Sequence, residues 1–104
     1  MDNFRIIYKM LSILEESLDE PQADQKRLSA EALDISEERR KAYLEMLTDA
    51  GYIKGVEIRE YRGGGSRVST DGIRITLKGL EYLSENTIMQ KMYRTVRGIT
   101  DLIP

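Results

Sequence analysis

Cysteine, histidine and tryptophan are all absent from this sequence, and proline occurs only at 2 positions. Without cysteine there is neither a disulfide framework nor a thiolate zinc site. Without histidine there is no Ser-His or Cys-His nucleophile pair and no imidazole metal ligand, and the chain lacks the one side chain that ordinarily titrates near neutral pH. No apolar run approaches the ~20 residues of a membrane span. Met1-Asp2-Asn3-Phe4-Arg5 lacks the basic, apolar and cleavage regions of a signal peptide, so a cytoplasmic protein with no membrane partner is expected.

What is present is ordinary for a globular domain: 40% hydrophobic and 33% charged residues in 104, which predicts one domain over 1–104. The formal charge is only -2, but it is unevenly divided. Residues 1–50 carry 7 basic and 12 acidic groups, residues 51–104 carry 9 and 6, so the halves stand at -5 and +3.

Residues 3–19 predict a helix, with Phe4, Ile7, Leu11, Leu14 and Leu18 on one face, widened by Ile6, Met10 and Ile13. Asp2 or Asn3 suits its start, and Pro21 blocks its continuation. A polar loop over 19–27 leads to a short helix at 29–34 capped by Ser29. A tight Asp34-Ile35-Ser36 connection follows. Ser36 caps a third helix reaching about Ala50, with Tyr43, Leu44, Leu47 and Ala50 buried and Gly51 as a left-handed stop.

After Gly51 the period changes to two. Val56 and Ile58 alternate with Glu57 and Arg59 on a strand over about 52–60, where Gly55 marks a bulge. Arg62-Gly63-Gly64-Gly65-Ser66-Arg67 reads as a flexible turn, and Ile73 and Ile75 flank Arg74 on a second strand. Thr76 caps a helix over about 77–85 with Leu77, Leu80 and Leu83 inward. A last helix from Ile88 carries Ile88, Met92, Val96, Ile99 and Ile103, with Met89 and Tyr93 alongside and Gly98 weakening it late.

This order, three helices with a short turn between the second and third and then a hairpin, is that of an α+β winged helix-turn-helix with additional C-terminal helices. The wing covers about 52–76 and the C-terminal helices about 77–103. The run Leu47-Thr48-Asp49-Ala50-Gly51-Tyr52-Ile53-Lys54-Gly55-Val56 resembles the junction of third helix and first wing strand in the YjcQ-like family of small bacterial and prophage winged-helix proteins. Ile75-Thr76-Leu77-Lys78-Gly79-Leu80-Glu81-Tyr82-Leu83-Ser84-Glu85-Asn86 is similar to that family's strand-to-helix segment, a pattern shared by many winged-helix regulators. The resemblance runs from Phe4 to about Leu102. It implies the fold and a bacterial or phage cytoplasmic origin, and no particular activity. The triple glycine departs from the pattern by lengthening the wing tip.

Double-stranded DNA is the expected partner of such a fold. Arg59, Arg62, Arg67 and Arg74 cluster on the wing against Glu60 and Asp71 between residues 59 and 74. Ser36, Arg39, Arg40 and Lys41 stand at the start of the third helix, the end from which base contacts normally arise. Against this, Glu37, Glu38, Glu45 and Asp49 leave residues 37–50 at net -1. The alternative is a protein-interaction module whose acidic first half faces its partner. The stripe of Ile88, Met89, Met92, Tyr93, Val96 and Ile99 either packs on the first helix or forms a homodimer interface.

No chemistry is expected. Gly63-Gly64-Gly65 lacks the Lys-Ser or Lys-Thr of a phosphate loop and is a hairpin tip. Neighbouring acidic pairs on a helix point about 100° apart and do not converge. Asp19, Glu20 and Asp24 lack calcium-loop spacing. Neither a metal nor a cofactor is expected, and no residue is assigned a catalytic role.

Overall fold

A computed structural model describes residues 3–86. Helix α1 spans Asn3–Glu16 and buries Tyr8, Met10, Leu11, Ile13 and Leu14. Met10, Leu11, Ile13 and Leu14 lie on the expected stripe, which is shorter than expected because Phe4 and Leu18 at its two ends are exposed. The helix also stops before residue 19. Ser17–Asp19 tighten into a 3-10 turn, where the Ser17 hydroxyl donates to the Ile13 carbonyl at 2.8 Å and accepts the Asp24 N–H at 3.4 Å. A buried serine is thus satisfied on both sides.

Helix α2, Ala30–Leu33, is capped by Ser29, whose hydroxyl accepts the Ala32 N–H at 3.1 Å. Asp34 turns the chain with φ of 57°, a left-handed conformation that a short acceptor side chain tolerates. Asp34 N–H donates to the Glu31 carbonyl and Ile35 N–H to the Ala30 carbonyl, the paired closure of a Schellman end. Helix α3, Glu37–Asp49, follows at once under the Ser36 cap, with Ser36 Oγ 3.0 Å from the Arg39 nitrogen. It ends by the same closure, Gly51 to Thr48 and Tyr52 to Leu47, with Gly51 at φ +82° as expected. Tyr43, Leu44 and Leu47 are buried, whereas Ala50 is exposed, because the chain peels away at Gly51 before another turn forms.

Beyond α3 the expected pair of strands is four short ones. Strand β1, Ile53–Lys54, pairs antiparallel with β4, Arg74–Ile75. Strand β2, Glu57–Glu60, pairs with β3, Ser66–Ser69. The ladder breaks at Gly55, with φ +85°, where a Cβ would lie 1.8 Å from the Gly72 carbonyl oxygen. Two backbones pass here where a side chain has no room. Ser66 to Ser69 belong to the ladder rather than to a loose turn. The tip is confined to residues 61–65, closed by Tyr61 N–H to the Gly65 carbonyl.

Helix α4, Leu77–Glu85, starts at Thr76, whose hydroxyl accepts the Gly79 N–H at 3.2 Å. Leu83 is buried and Leu80 half-buried, but Leu77 is 73% exposed rather than inward. The face carrying Gly79 and Leu83 meets the body, and Gly79 lets α4 approach the Tyr52 carbonyl and Ile75 closely. The core joins α1, α2 and α3 to Ile53, Ile73, Ile75 and Leu83, with Tyr52 and Tyr82 rings 5.2 Å apart at its edge. The result is a small mixed α+β fold of helices with an antiparallel hairpin. No helix among the described residues is long and apolar enough to cross a membrane. The C-terminal helix expected from Ile88, and with it Ile88, Met89, Met92, Tyr93, Val96 and Ile99, lies outside the described residues.

Candidate nucleic-acid interface

The basic residues at the start of α3 are drawn into the protein. Arg39 is exposed, yet its guanidinium donates to Asn3 Oδ1 at 2.9 Å and to the Tyr43 hydroxyl at 3.3 Å, and lies 6.0 Å from the Tyr43 ring centroid. Arg40 is turned inward. Its Nε donates to the Leu28 carbonyl at 2.7 Å, a guanidinium nitrogen lies 3.8 Å from Glu37, and only 13% of its side chain is exposed. Lys41 donates its ammonium to the Ser66 hydroxyl, tying α3 to the hairpin. Ser36 spends its side chain on the cap. The open face of α3 is left to Glu38, Lys41, Ala42, Glu45, Met46 and Asp49, three acids to one base.

Arg74, at the base of the hairpin, serves the body of the fold. Its guanidinium donates to the carbonyls of Ser17 at 2.9 Å, Glu20 at 2.6 Å and Pro21 at 2.5 Å, closing the end of the 3-10 turn. That leaves Arg59, Arg62 and Arg67. Arg59 and Arg67 are direct cross-strand partners, and both are exposed. Arg59 lies 3.9 Å from Glu57, a pair in which both side chains are more than two-thirds exposed. Such a pair contributes at most about 1 kcal/mol. Arg62 is exposed at the tip beside Gly63, Gly64 and Gly65, around which a Cβ would meet nothing within 4 Å.

The pleat sorts the hairpin into two faces. Glu57, Arg59, Tyr61, Arg67, Ser69 and Asp71 line one open hollow. Ile58 opposite Val68 and Glu60 opposite Ser66 occupy the other face, and the Lys41 contact to Ser66 turns that face toward α3. The groove between α3 and the hairpin, about 720 Å³, is lined by Glu37, Glu38 and Glu60 as well as by Arg40, Lys41 and Arg67. Arg40 and Lys41 share this groove with Arg67, three cations against three carboxylates, whereas Arg39 does not line it.

Sequence reasoning missed Tyr61, 52% exposed between the two arginines and the tip, and Gln25, whose amide and carbonyl oxygen both bind Thr70 at the hairpin base. Tyr61 was legible as the last residue in phase with Glu57 and Arg59. The Gln25 contact spans 45 residues and has no local signal. Among the described residues no group of three acidic side chains is placed to hold a metal ion.

The family model described as YjcQ protein matches residues 8–102, nearly the whole chain. No curated protein and no solved structure matches this chain.

Proposed function

The chain belongs to the YjcQ family, and we propose that it is a winged-helix DNA-binding protein that works by occupying duplex DNA rather than by catalysis. In this reading α2 and α3 form the helix-turn-helix, the β2–β3 hairpin is the wing, and the molecule is a small cytoplasmic regulator of transcriptional or prophage type. One observation carries it: the hairpin presents three exposed arginines, Arg59, Arg62 and Arg67, next to a tip whose glycines hold no side chain away from a ligand. Phosphate contact needs cations that reach outward on a backbone that can approach closely, and this hairpin supplies both. Fluorescence anisotropy with a labelled mixed-sequence duplex tests it. Binding at low salt that weakens as salt rises is expected, and no binding at low salt rejects the reading.

A second reading has its own observation. The open face of α3, with Glu38, Glu45 and Asp49, repels phosphate and fits a basic protein surface instead. If duplex DNA fails to bind, a protein-interaction module is the better description of the same fold.

A further inference from the structure

We propose that nucleic acid is engaged by the face of the hairpin turned away from α3, where Arg59 and Arg67 together clamp a single backbone phosphate, and that α3 stays out of the groove. This rests on the DNA-binding reading and adds to it the face, the ligand atom and the mode.

The pairing supplies the first argument. Arg59 and Arg67 stand directly opposite on adjacent strands and on the same face. Their Cβ atoms are then about 4.5–5.5 Å apart, where like charges repel. An anion between them converts that repulsion into two charge-assisted contacts. The planar, forked guanidinium is the side chain best matched to phosphate oxygens.

The second argument is the order of charges along the face. Glu57 and Asp71 lie at its base, the arginine pair in the middle and Tyr61 toward the tip, where the exposed Arg62 follows in the chain. A phosphate arriving from the tip meets Arg62 first and then the pair, with the carboxylates behind. Glu57 holds Arg59 only at 3.9 Å in full solvent, so it yields to a better-placed anion. Ser69, across from Glu57, lines the same hollow and offers a hydroxyl donor.

The third argument concerns what is kept away. A duplex lying on the far face of the hairpin does not meet Glu38, Glu45 and Asp49, whereas groove insertion of α3 brings all three against phosphates. Arg67 also borders the groove beside α3, but the far hollow is where it stands with Arg59 and away from Glu38, Glu45 and Asp49.

The test uses the full chain and a labelled mixed-sequence duplex of about 20 base pairs, with binding measured over a range of salt. A clamp on one phosphate loses about 0.9 from the salt slope in the Arg59→Gln/Arg67→Gln double variant, whereas two arginines on separate phosphates lose about 1.8. The Glu45→Gln/Asp49→Gln variant changes affinity by less than about twofold at ~0.1 M salt, where screening acts over roughly 10 Å. Circular dichroism and an amide NMR spectrum verify that each variant is folded. A slope loss near 0.9 with a neutral α3 variant supports the proposal. A loss near 1.8, a neutral hairpin variant, or a clear gain in affinity from the α3 variant overturns the clamp while leaving DNA binding intact. Absence of binding by the unaltered chain overturns both.

Discussion

The salt dependence of DNA binding separates the chain's cation count from the number of cations the fold leaves available. Seven basic side chains surround the proposed interface: Arg39, Arg40, Lys41, Arg59, Arg62, Arg67 and Arg74. If each neutralised one phosphate, log K against log salt would fall with a slope of about -6.3, and affinity would drop about 6,000-fold between 50 and 200 mM. The structure engages four of them elsewhere: Arg39 on Asn3 and Tyr43, Arg40 on Leu28, Lys41 on Ser66, and Arg74 on three carbonyls. With one phosphate clamped by Arg59 and Arg67 and another met by Arg62, the expected slope is about -1.8 and the loss about 12-fold over the same range. Equilibrium anisotropy titrations at four or more salt concentrations measure the slope directly. A slope steeper than about -4 would refute the reasoning, since the engaged cations would then have left their intramolecular partners for phosphate.

Three further expectations concern the frame that carries the hairpin. Gly79→Ala gains up to about 1 kcal/mol of helix propensity, but its Cβ would lie 2.4 Å from the Tyr52 carbonyl oxygen and 2.6 Å from Ile75 Cγ1. That carbonyl already accepts the Thr76 N–H at 3.0 Å, so overpacking by about 1–3 kcal/mol wins and the urea midpoint falls; a raised midpoint contradicts this. Ser36→Ala removes the cap of α3 and costs about 1 kcal/mol, read as a lower melting temperature; an unchanged one shows that the cap is redundant. Arg74→Met keeps the apolar stem but strips one of two donors from the Ser17 carbonyl, which retains the Glu20 N–H, so about 0.5–1.5 kcal/mol is lost in chemical denaturation, with the DNA salt slope unchanged. A reduced slope in that variant returns Arg74 to the phosphate contacts.

Elements with strong local chemistry were legible in advance. Ser29, Ser36 and Thr76 each cap the helix that follows, because a hydroxyl one residue before a helix has an orphan N–H within reach. Gly51 stops α3 in a left-handed turn for an equally local reason. The errors fall where a residue's fate depends on a distant neighbour. Periodicity gives the axis of a helical stripe but not how far it extends, so Phe4, Leu18, Ala50 and Leu77, which it places inward, are exposed in the fold. Ser66 to Ser69 carry one large apolar residue, too little alternation to read as a strand, and the pairing with Glu57–Glu60 makes them one.

The sequence by itself determined the helix starts and stops, the glycine-rich tip and the absence of imidazole and thiol chemistry, since these depend on residue type and near neighbours. It also showed that the second half of the chain is basic. Which cations are available was decided only by the tertiary structure. Arg40 and Arg74 look no different from Arg62 and Arg67 along the chain, yet folding brings the first two against the backbone carbonyls of Leu28 and of Ser17, Glu20 and Pro21. A guanidinium carries the same charge wherever it stands; long-range packing determines whether its hydrogen bonds are already made.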